Sequence, residues 1–343
     1  MLIATVKETT ALENRVALIP QHVAILTEMG HTVNIETNAG QQAGFEDTRY
    51  QQAGAKICKH PDECYKNADV ICKIWTPQNE EISYLTQNQT VICNTQNIKT
   101  YQNLKTLCST GINLFALDLM PRISRAQSMD ILSSQNNLAG YVSVIVGAQH
   151  CPAALPLMIT SAGTISPIKI LIMGLGVAGL QAAATAHRLG AQLYAFDNRP
   201  ETEEQAASLG AVFVHHLTDD LLSSVQMIIT SALSPGKPAP KLLTKEQLKI
   251  LPSNCVIIDM TADSGGNIPD NKKLENLTII SDSHLARYVP QSASILYSGN
   301  IFNFIRFLYD KPHPTPYDFK DEIIKSTCIC YHNQCHHPFL KEK

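Results

Sequence analysis

The chain has 343 residues, of which 44% are hydrophobic and 17% charged, a composition typical of a soluble globular protein with about two domains. A net charge of −3 at pH 7 excludes the global positive field that draws proteins to nucleic acid or to anionic lipid. Apolar runs stay below the roughly 18–20 residues that cross a bilayer, and residues 1–15 lack the apolar core of a signal peptide. We therefore expect a cytoplasmic protein that meets a membrane only through a partner.

The N-terminal third of the chain, to about residue 120, alternates short β-rich runs with helix-like segments. The segment PQHVAILTEMG, with proline at a helix start and a stop at Gly30, is typical of those helices. Strands are predicted in the runs MLIATVKE, HTVNIETN, DVICKIW, TVICNT and INLFALDL. Alternation of this kind indicates an α/β domain with a mainly parallel sheet.

The ten cysteines do not follow a disulfide pattern. Cys72, Cys93 and Cys255 lie in apolar, strand-like runs, where cysteine behaves as a small buried hydrophobe. The tail CICYHNQCHHP differs because six residues able to bind a metal fall close together: Cys328, Cys330, His332, Cys335, His336 and His337. Their spacing matches no standard zinc pattern, so a short terminal strand and turn is the favoured interpretation, and a metal site is the alternative.

Residues 125–150 contain no proline and are predicted to form one long helix that links two domains. The helix follows the segment PRISRAQSMD, residues 121–130, which is dense in hydrogen-bonding groups. If the helix begins near Arg125, one polar stripe with Ser133 at its edge is formed by Gln127, Asp130, Ser134 and Asn137. Amides and hydroxyls suit fixed hydrogen bonds to carboxamide and ribose groups, whereas a plain helix cap is the alternative.

A second α/β block is predicted from about 165 to 300. Its strands lie in the runs IKILIMG, AQLYAFD, AVFVHH, VQMIIT, CVIIDM and LTIISD, and the helical piece IFNFIRFLYDK is expected to pack against the first domain. We therefore predict an α/β protein of two Rossmann-like domains joined by long helices. The N-terminal domain covers 1–125 and is completed by about 300–343, and 126–300 holds the linker helix and the Rossmann domain.

A dinucleotide fingerprint opens the second block. In IKILIMGLGVAGLQAAATAHRLGAQLYAFDNRP, a strand leads into Gly174, Gly176 and Gly179, spaced G-x-G-x-x-G, and an alanine-rich helix follows. The first glycine permits a tight turn, the second lets backbone approach a pyrophosphate, and the third allows close packing of helix on strand. The helix N-terminus offers free N–H groups to the phosphates. The alternative is a glycine-rich turn without a ligand.

The choice of nucleotide depends on the residue that closes the second strand. Asp197 stands at the distance at which the fingerprint places an acid on the ribose 2′-hydroxyl. Its charge would repel a 2′-phosphate, which favours NAD(H) over NADP(H). The nearby Arg199 points the other way.

Several stretches together resemble the family of alanine dehydrogenases and pyridine nucleotide transhydrogenases. They are KETTALENRVALIP (7–20), AGFEDTRYQQAGAKI (43–57), residues 158–191 around the fingerprint, and SALSPGKPAPKLLTKEQL (231–248). The resemblance implies bound NAD(H), with contacts from Gly174, Gly176, Val177, Ala178, Gly179, Asp197, Asn198, Arg199, Ala232, Pro235 and Gly236. It implies no metal.

The resemblance also separates two branches of the family. Alanine dehydrogenases surround a keto acid with an arginine, a lysine, a histidine and an aspartate; Arg15, Lys73 and Asp263 match three of these. The histidine is missing from VICNTQNIKTY (91–101), which removes the proton carrier of oxidative deamination. Arg15 and Lys73 occur in both branches, and an interdomain polar network is the alternative role for them.

The stretch PRISRAQSMDILSSQNNLAGY (121–141) resembles the loop and helix start that mark the NAD(H)-binding component of proton-translocating transhydrogenase. The resemblance assigns catalytic roles beside the nicotinamide to Arg122, Gln127, Asp130 and Ser133. It implies hydride transfer from NADH to NADP⁺ on a partner subunit, membrane-spanning partner chains that translocate protons, a homodimer, and a peripheral position at the inner face of the membrane. The alternatives are a stand-alone amino-acid dehydrogenase and a non-catalytic NAD-binding protein.

The sequence departs from the transhydrogenase pattern between LGAVFV and MIITSAL. Only HHLTDDLLSSVQ lies there, where members of that branch usually carry a longer insertion with a mobile loop that closes over the nucleotide. We expect a more open site and weaker retention of NADH.

Overall fold

The computed structural model describes residues 1–95, 104–233, 237–269, 276–310, 317–332 and 334–336. In these ranges, no helix combines the length and apolar character needed to cross a membrane. The chain divides into two units, which we call unit 1 (Met1–Gln135 and Val289–Lys343) and unit 2 (Asn136–Tyr288).

The strands and helices follow in chain order. The strands are β1 (Leu2–Thr5), β2 (Thr32–Glu36), β3 (Lys56–Cys58), β4 (Val70–Trp75), β5 (Thr90–Asn94), β6 (Asn113–Ala116), β7 (Met158–Thr160), β8 (Gly163–Ile165), β9 (Lys169–Met173), β10 (Gln192–Phe196), β11 (Ala211–Phe213), β12 (Met227–Thr230), β13 (Val256–Asp259), β14 (Thr278–Ser281), β15 (Cys328–Tyr331) and β16 (Gln334–Cys335). The helices are α1 (Pro20–Glu28), α2 (Asp47–Gln52), α3 (Pro61–Tyr65), α4 (Asn79–Ile82), α5 (Leu104–Ser109), α6 (Ile131–His150), α7 (Val177–Arg188), α8 (Thr202–Ser208), α9 (Asp219–Leu222), α10 (Lys245–Ile250), α11 (Pro290–Tyr309) and α12 (Glu322–Thr327).

Unit 1 is built on a sheet of order β16-β15-β6-β5-β4-β1-β2-β3. The strands from β6 to β3 are parallel, and β15 runs antiparallel to β6. Successive residues of a strand enter different core clusters: Ile3 and Ile92 belong to one, Ala4 and Cys93 to the other. Both faces are therefore buried, which explains the nearly continuous apolar runs in the sequence.

The predicted elements of unit 1 are largely confirmed. Each of the five predicted β-rich runs holds a strand, and the tail forms the hairpin β15–β16. Helix α11 begins before the predicted piece and packs its Tyr297 and Phe304 into the core of unit 1, as expected for a segment returning to the first domain. Cys72 and Cys93 are buried free thiols, as is Cys255 in unit 2.

Unit 2 holds a parallel sheet of order β11-β10-β9-β12-β13-β14. Counted from β9 this is the order 3-2-1-4-5-6 of a doubly wound sheet, and the chain reverses direction across the sheet between β9 and β12. All six predicted strand runs are confirmed. The exposed hairpin β7–β8 was not predicted, because its sequence indicated turns alone.

The predicted helix over 125–150 is wrong at its start. Residues Ser124–Met129 form a 3₁₀ helix, and the α-helix begins only at Ile131. Ala126 and Met129 are drawn into the core of unit 1, and Asp130 adopts an extended conformation between the two helices. Gln127 and Asp130 therefore do not share a helical face with Ser134 and Asn137, and the predicted polar stripe is wrong.

Candidate functional site

The turn between β9 and α7 has the geometry that its glycines predict. Gly174 has a φ of +93°, and a Cβ atom there would lie 2.7 Å from the backbone nitrogen of Ala232. At Gly179 a Cβ atom would lie 1.8 Å from the carbonyl oxygen of Gly174, so only glycine allows α7 to approach the strand this closely. Gly176 differs, because a Cβ atom there meets no atom of the chain within 4 Å. The backbone at Gly176 and Val177 is exposed and open to a ligand, whereas Ala178 is buried against the sheet.

Asp197 fixes this turn from the neighbouring strand. Its carboxylate accepts a hydrogen bond of 2.7 Å from the backbone N–H of Leu175, and the guanidinium of Arg199 donates to both carboxylate oxygens, at 3.0 and 2.9 Å. Partial burial alone would raise the pKa of Asp197, but these bonds hold it below its usual value. Asp197 is therefore an anion beside the turn, half of Arg199 stays exposed, and Asn198 lies between them.

The segment after β12 is tied to the segment after β13. The Asn267 side chain accepts a hydrogen bond from Ala232 N–H and donates to the carbonyl oxygens of Ala232 and Pro240. The buried Asp259 carboxylate accepts bonds from the backbone of Asn267 and Thr261. The position of Ala232 at the carboxyl edge of the sheet is thus fixed within unit 2. The predicted contacts Pro235 and Gly236 lie outside the described residues.

A carboxylate–imidazole pair stands at the same edge. Asp263 follows β13 and His284 follows β14, and their side chains approach to 2.7 Å between Oδ2 and Nε2. Ser283 accepts a hydrogen bond from the Asp263 N–H, and Asp282 accepts one from the His284 N–H. Sequence analysis named Asp263 but missed His284, since only the fold brings the ends of these two strands together.

The segment 121–130 of unit 1 is held in place from several sides. Arg125 forms a two-pronged ion pair with Asp321, with distances of 2.6 and 2.8 Å. The carbonyl oxygen of Ser128 accepts hydrogen bonds from the side-chain amides of Asn300 and Asn303. Together with the burial of Ala126 and Met129, these contacts make the segment a fixed platform.

The four predicted catalytic residues lie on and beside this platform. Arg122, Gln127 and Ser133 are exposed, and Asp130 is half-buried. The Asp130 carboxylate accepts bonds from the Ser133 N–H, at 3.0 Å, and from the Ser133 hydroxyl, at 2.6 Å. Asp130 is thus the N-cap of α6, as in the cap interpretation, while it also orients the Ser133 hydroxyl.

Arg15 and Lys73 belong to a buried network. The Arg15 guanidinium donates to both carboxylate oxygens of Glu13 and to the side-chain oxygen of Gln135. Lys73 Nζ lies 2.7 Å from Glu81 and 3.5 Å from Glu8. The partners of both cations lie inside unit 1, so the expectation of an interdomain network is wrong in that respect. Both charges are already neutralised by carboxylates, which distinguishes this arrangement from a site awaiting a keto-acid carboxylate.

Glu8 is the most perturbed acid of this network. It is buried, and its carboxylate accepts a hydrogen bond of 2.6 Å from the backbone N–H of Ile74. Burial raises the pKa of Glu8 to about 7, although the charge of Lys73 acts in the opposite direction. The network is thus sensitive to pH near neutrality.

The histidines and cysteines of the tail bear on the alternative of a metal site. Among the described residues, no group of three or more histidine, cysteine, aspartate or glutamate side chains is arranged to hold a metal ion. His337 lies outside the described residues.

Together, the strand order, the glycine turn after the first strand of unit 2 and the acid after the second define a Rossmann-type protein of two α/β units. Residues 4–139 match the model of the alanine dehydrogenase/PNT N-terminal domain, and residues 143–338 match that of the C-terminal domain. The chain belongs to this family of oxidoreductases.

Relatives match over nearly the whole chain. A protein of Rhodospirillum rubrum, named as the first of the chains that make up an NAD(P) transhydrogenase subunit alpha, is 35% identical, with 99% of each chain covered. Its namesake in Rickettsia prowazekii is 34% identical, covering 100% of this chain and 98% of the relative. The crystal structure of a transhydrogenase from Sinorhizobium meliloti superposes with a TM-score of 0.90 at 36% identity, covering 98% of this chain and 100% of the other.

Proposed function

We propose that this chain is the NAD(H)-binding subunit of a proton-translocating NAD(P)⁺ transhydrogenase. It would bind NADH and pass a hydride to NADP⁺ held by a partner subunit, which yields NAD⁺ and NADPH. Membrane-spanning partner chains would couple this transfer to proton translocation and keep the subunit at the inner face of the membrane. The observation that carries the proposal is the fixed platform 121–130, which presents polar side chains on a chain whose relatives, similar over their full length, are named as transhydrogenase subunits.

The residues of unit 2 fit a dinucleotide. The open backbone at Gly176 gives a pyrophosphate room to approach, and the N-terminus of α7 would stabilise its charge. The Asp197 anion would accept a hydrogen bond from a ribose hydroxyl and disfavour a 2′-phosphate. We assign cofactor contacts to Gly174, Gly176, Val177, Ala178, Gly179, Asp197, Asn198, Arg199, Ala232, Pro235 and Gly236.

The residues of the platform would position the reacting end of the cofactor. Nicotinamide supplies the hydride when NADH is bound, and the protein supplies orientation and electrostatics. The Gln127 amide can donate to and accept from a carboxamide, and the hydroxyl of Ser133, oriented by Asp130, can bond a ribose hydroxyl. Arg122 would fix the neighbouring loop. The distance between nicotinamide and acceptor depends on this positioning, so its loss would lower the transfer rate more than the affinity.

Two structural features bear on retention and assembly. The connection between β11 and β12 contains only the short helix α9, so we infer an open nucleotide site that releases NADH readily. The hairpin β7–β8 exposes Met158, Ile159 and Ile165, and an apolar surface of this type is commonly covered in oligomers. This supports a homodimer, which sedimentation equilibrium would test.

A second candidate is an amino-acid dehydrogenase that acts alone. The Asp263–His284 pair favours it, because an imidazole held by a carboxylate can accept the proton released when an amine or alcohol is oxidised. The neutralised Arg15 and Lys73 count against it, since an amino-acid carboxylate would compete with Glu13 and Glu81 for these cations. Incubation with NAD⁺ and L-alanine separates the two: NADH formation would support the dehydrogenase.

The binding step can be tested without any partner. We expect a fluorescence titration of the purified chain to show saturable binding of NADH and much weaker binding of NADPH. A chain that binds neither nucleotide would contradict the proposed function.

A further inference from the structure

The terminal hairpin of unit 1 places two cysteines opposite each other. Cys330 on β15 is the direct partner of Cys335 on β16. The adjacent register position carries a hydrogen bond from His336 N–H to the carbonyl oxygen of Ile329, so Cys330 and Cys335 form a non-hydrogen-bonded pair. In such pairs the Cα atoms lie about 4.5 Å apart and the side chains are close, which is within the range that a disulfide spans.

A β-bulge directs Cys330 to this position. The register between β15 and β6 shifts between Cys328 and Cys330, so these two residues enter different core clusters although they are two apart on one strand. The Cys330 thiol then donates to the carbonyl oxygen of Ile112, at 3.6 Å. Cys108 on α5 lies in the same cluster, with Cys335 packed against it.

The two paired thiols differ in access. Cys330 is fully buried, whereas Cys335 is partly exposed at the end of the sheet. An oxidant therefore reaches Cys335 first, and Cys330 lies behind it in position to react with the product.

We propose that Cys335 and Cys330 are a redox modification site that forms a cross-strand disulfide under oxidation by peroxide. The Cys335 thiolate attacks hydrogen peroxide, which gives the sulfenic acid and hydroxide, and the hydroxide takes up a proton to become water. The Cys330 sulfur then attacks the sulfenic sulfur, expels its oxygen as water, and loses its own thiol proton to that water. Two thiols are oxidised by two electrons and one peroxide is reduced to two waters.

The reaction will be slow at neutral pH. Burial and a hydrogen bond to Cys108 raise the pKa of Cys335 to about 11, so only a small fraction is thiolate. Because the thiolate is the nucleophile, the rate should rise roughly tenfold for each pH unit between 7 and 9. The disulfide would join the hairpin strands at the edge of the sheet and restrain the end of the chain.

The test is peptide mapping by mass spectrometry of the full chain after treatment with hydrogen peroxide at pH 7, 8 and 9. We expect a Cys330–Cys335 cross-link that forms faster as pH rises, disappears with a reductant and is absent from Cys335→Ser. Cys58 and Cys64 are a matched control, since their thiols also interact but both are fully buried, and Cys64→Ser should leave the cross-link unchanged.

Three outcomes would overturn the proposal. They are a Cys335 that is oxidised only to sulfinic or sulfonic acid, a cross-link from Cys335 to Cys108 in place of Cys330, and a cross-link rate that does not change with pH. If Cys335→Ser is poorly folded, blocking Cys335 in the wild-type chain with iodoacetamide before oxidation gives the same comparison.

Discussion

The carboxylate of Asp130 accepts hydrogen bonds from both the backbone N–H and the hydroxyl of Ser133. The two residues thus form one unit that begins helix α6 and sets the direction of an exposed hydroxyl. A structural role and a proposed catalytic role therefore coincide in Asp130, whereas the hydroxyl of Ser133 can be removed with its backbone contact intact.

Substitutions at this pair should separate the two roles. Asp130→Ala removes the cap of α6 and should lower the free energy of unfolding by about 1 kcal/mol, with a loss of hydride exchange. Ser133→Ala keeps the N–H bond, so we expect a smaller change in stability but a clear fall in exchange rate. Urea unfolding combined with an exchange assay measures both. Equal exchange by Ser133→Ala and the wild type would remove Ser133 from the site.

The fingerprint glycines should respond differently to alanine. Gly179→Ala places a Cβ atom 1.8 Å from the Gly174 carbonyl oxygen and should disrupt the packing of α7, which lowers the melting temperature. Gly176→Ala meets no atom of the chain, so its cost in stability should stay below about 1 kcal/mol, the scale of a cap change. If a pyrophosphate lies over Gly176, NADH affinity should fall at least tenfold in this stable variant. Unchanged affinity would contradict the placement.

Removal of the buried cation should be costly. Lys73→Met leaves Glu8 and Glu81 buried without their partner, and we expect a loss of about 3–5 kcal/mol in the free energy of unfolding. The double variant with Glu81→Gln should regain part of this. As a control, Arg125→Ala breaks an ion pair whose cation is half exposed and should cost about 1 kcal/mol or less. Similar losses in Lys73→Met and Arg125→Ala would argue against the buried network.

Glu8 should make stability depend on pH. Its pKa rises from 4.5 to about 7 in the folded chain, so the folded state binds more protons between these values. The contribution is fully present below pH 4.5 and is lost as pH rises through 7, at no more than about 1.4 kcal/mol per pH unit. Glu8→Gln cannot titrate, so the stability of the wild type relative to this variant should fall from pH 5 to pH 8. A difference that is constant with pH would refute the assignment.

Local patterns were sufficient for the sheets. Runs such as KILIM and VIID are apolar because the strands are buried on both faces, and the glycine spacing at Gly174 and Gly179 reflects steric needs that the structure confirms. The start of α6 could not be predicted in this way, because the absence of proline allows a helix through 125–130. Burial of Met129 and the Asp130 cap, which end the preceding turn, depend on tertiary contacts.

Long-range pairings were also beyond the sequence. Arg15 is bound by Gln135, 120 residues further on, and His284 meets Asp263 only because β13 and β14 are neighbours in the sheet. Resemblance could suggest that Arg15 and Lys73 matter, but it could not show that carboxylates of the same unit neutralise them.

Hydride exchange is the most direct test of the proposed function. The purified chain would be mixed with NADH, an NADP(H)-binding transhydrogenase component and an NADP⁺ analogue whose reduced form absorbs at a separate wavelength. We predict reduction of the analogue only when both proteins are present, and at least a tenfold lower rate with Gln127→Ala at unchanged NADH affinity. Saturable NADH binding without any exchange, with partner components from several relatives, would contradict the account.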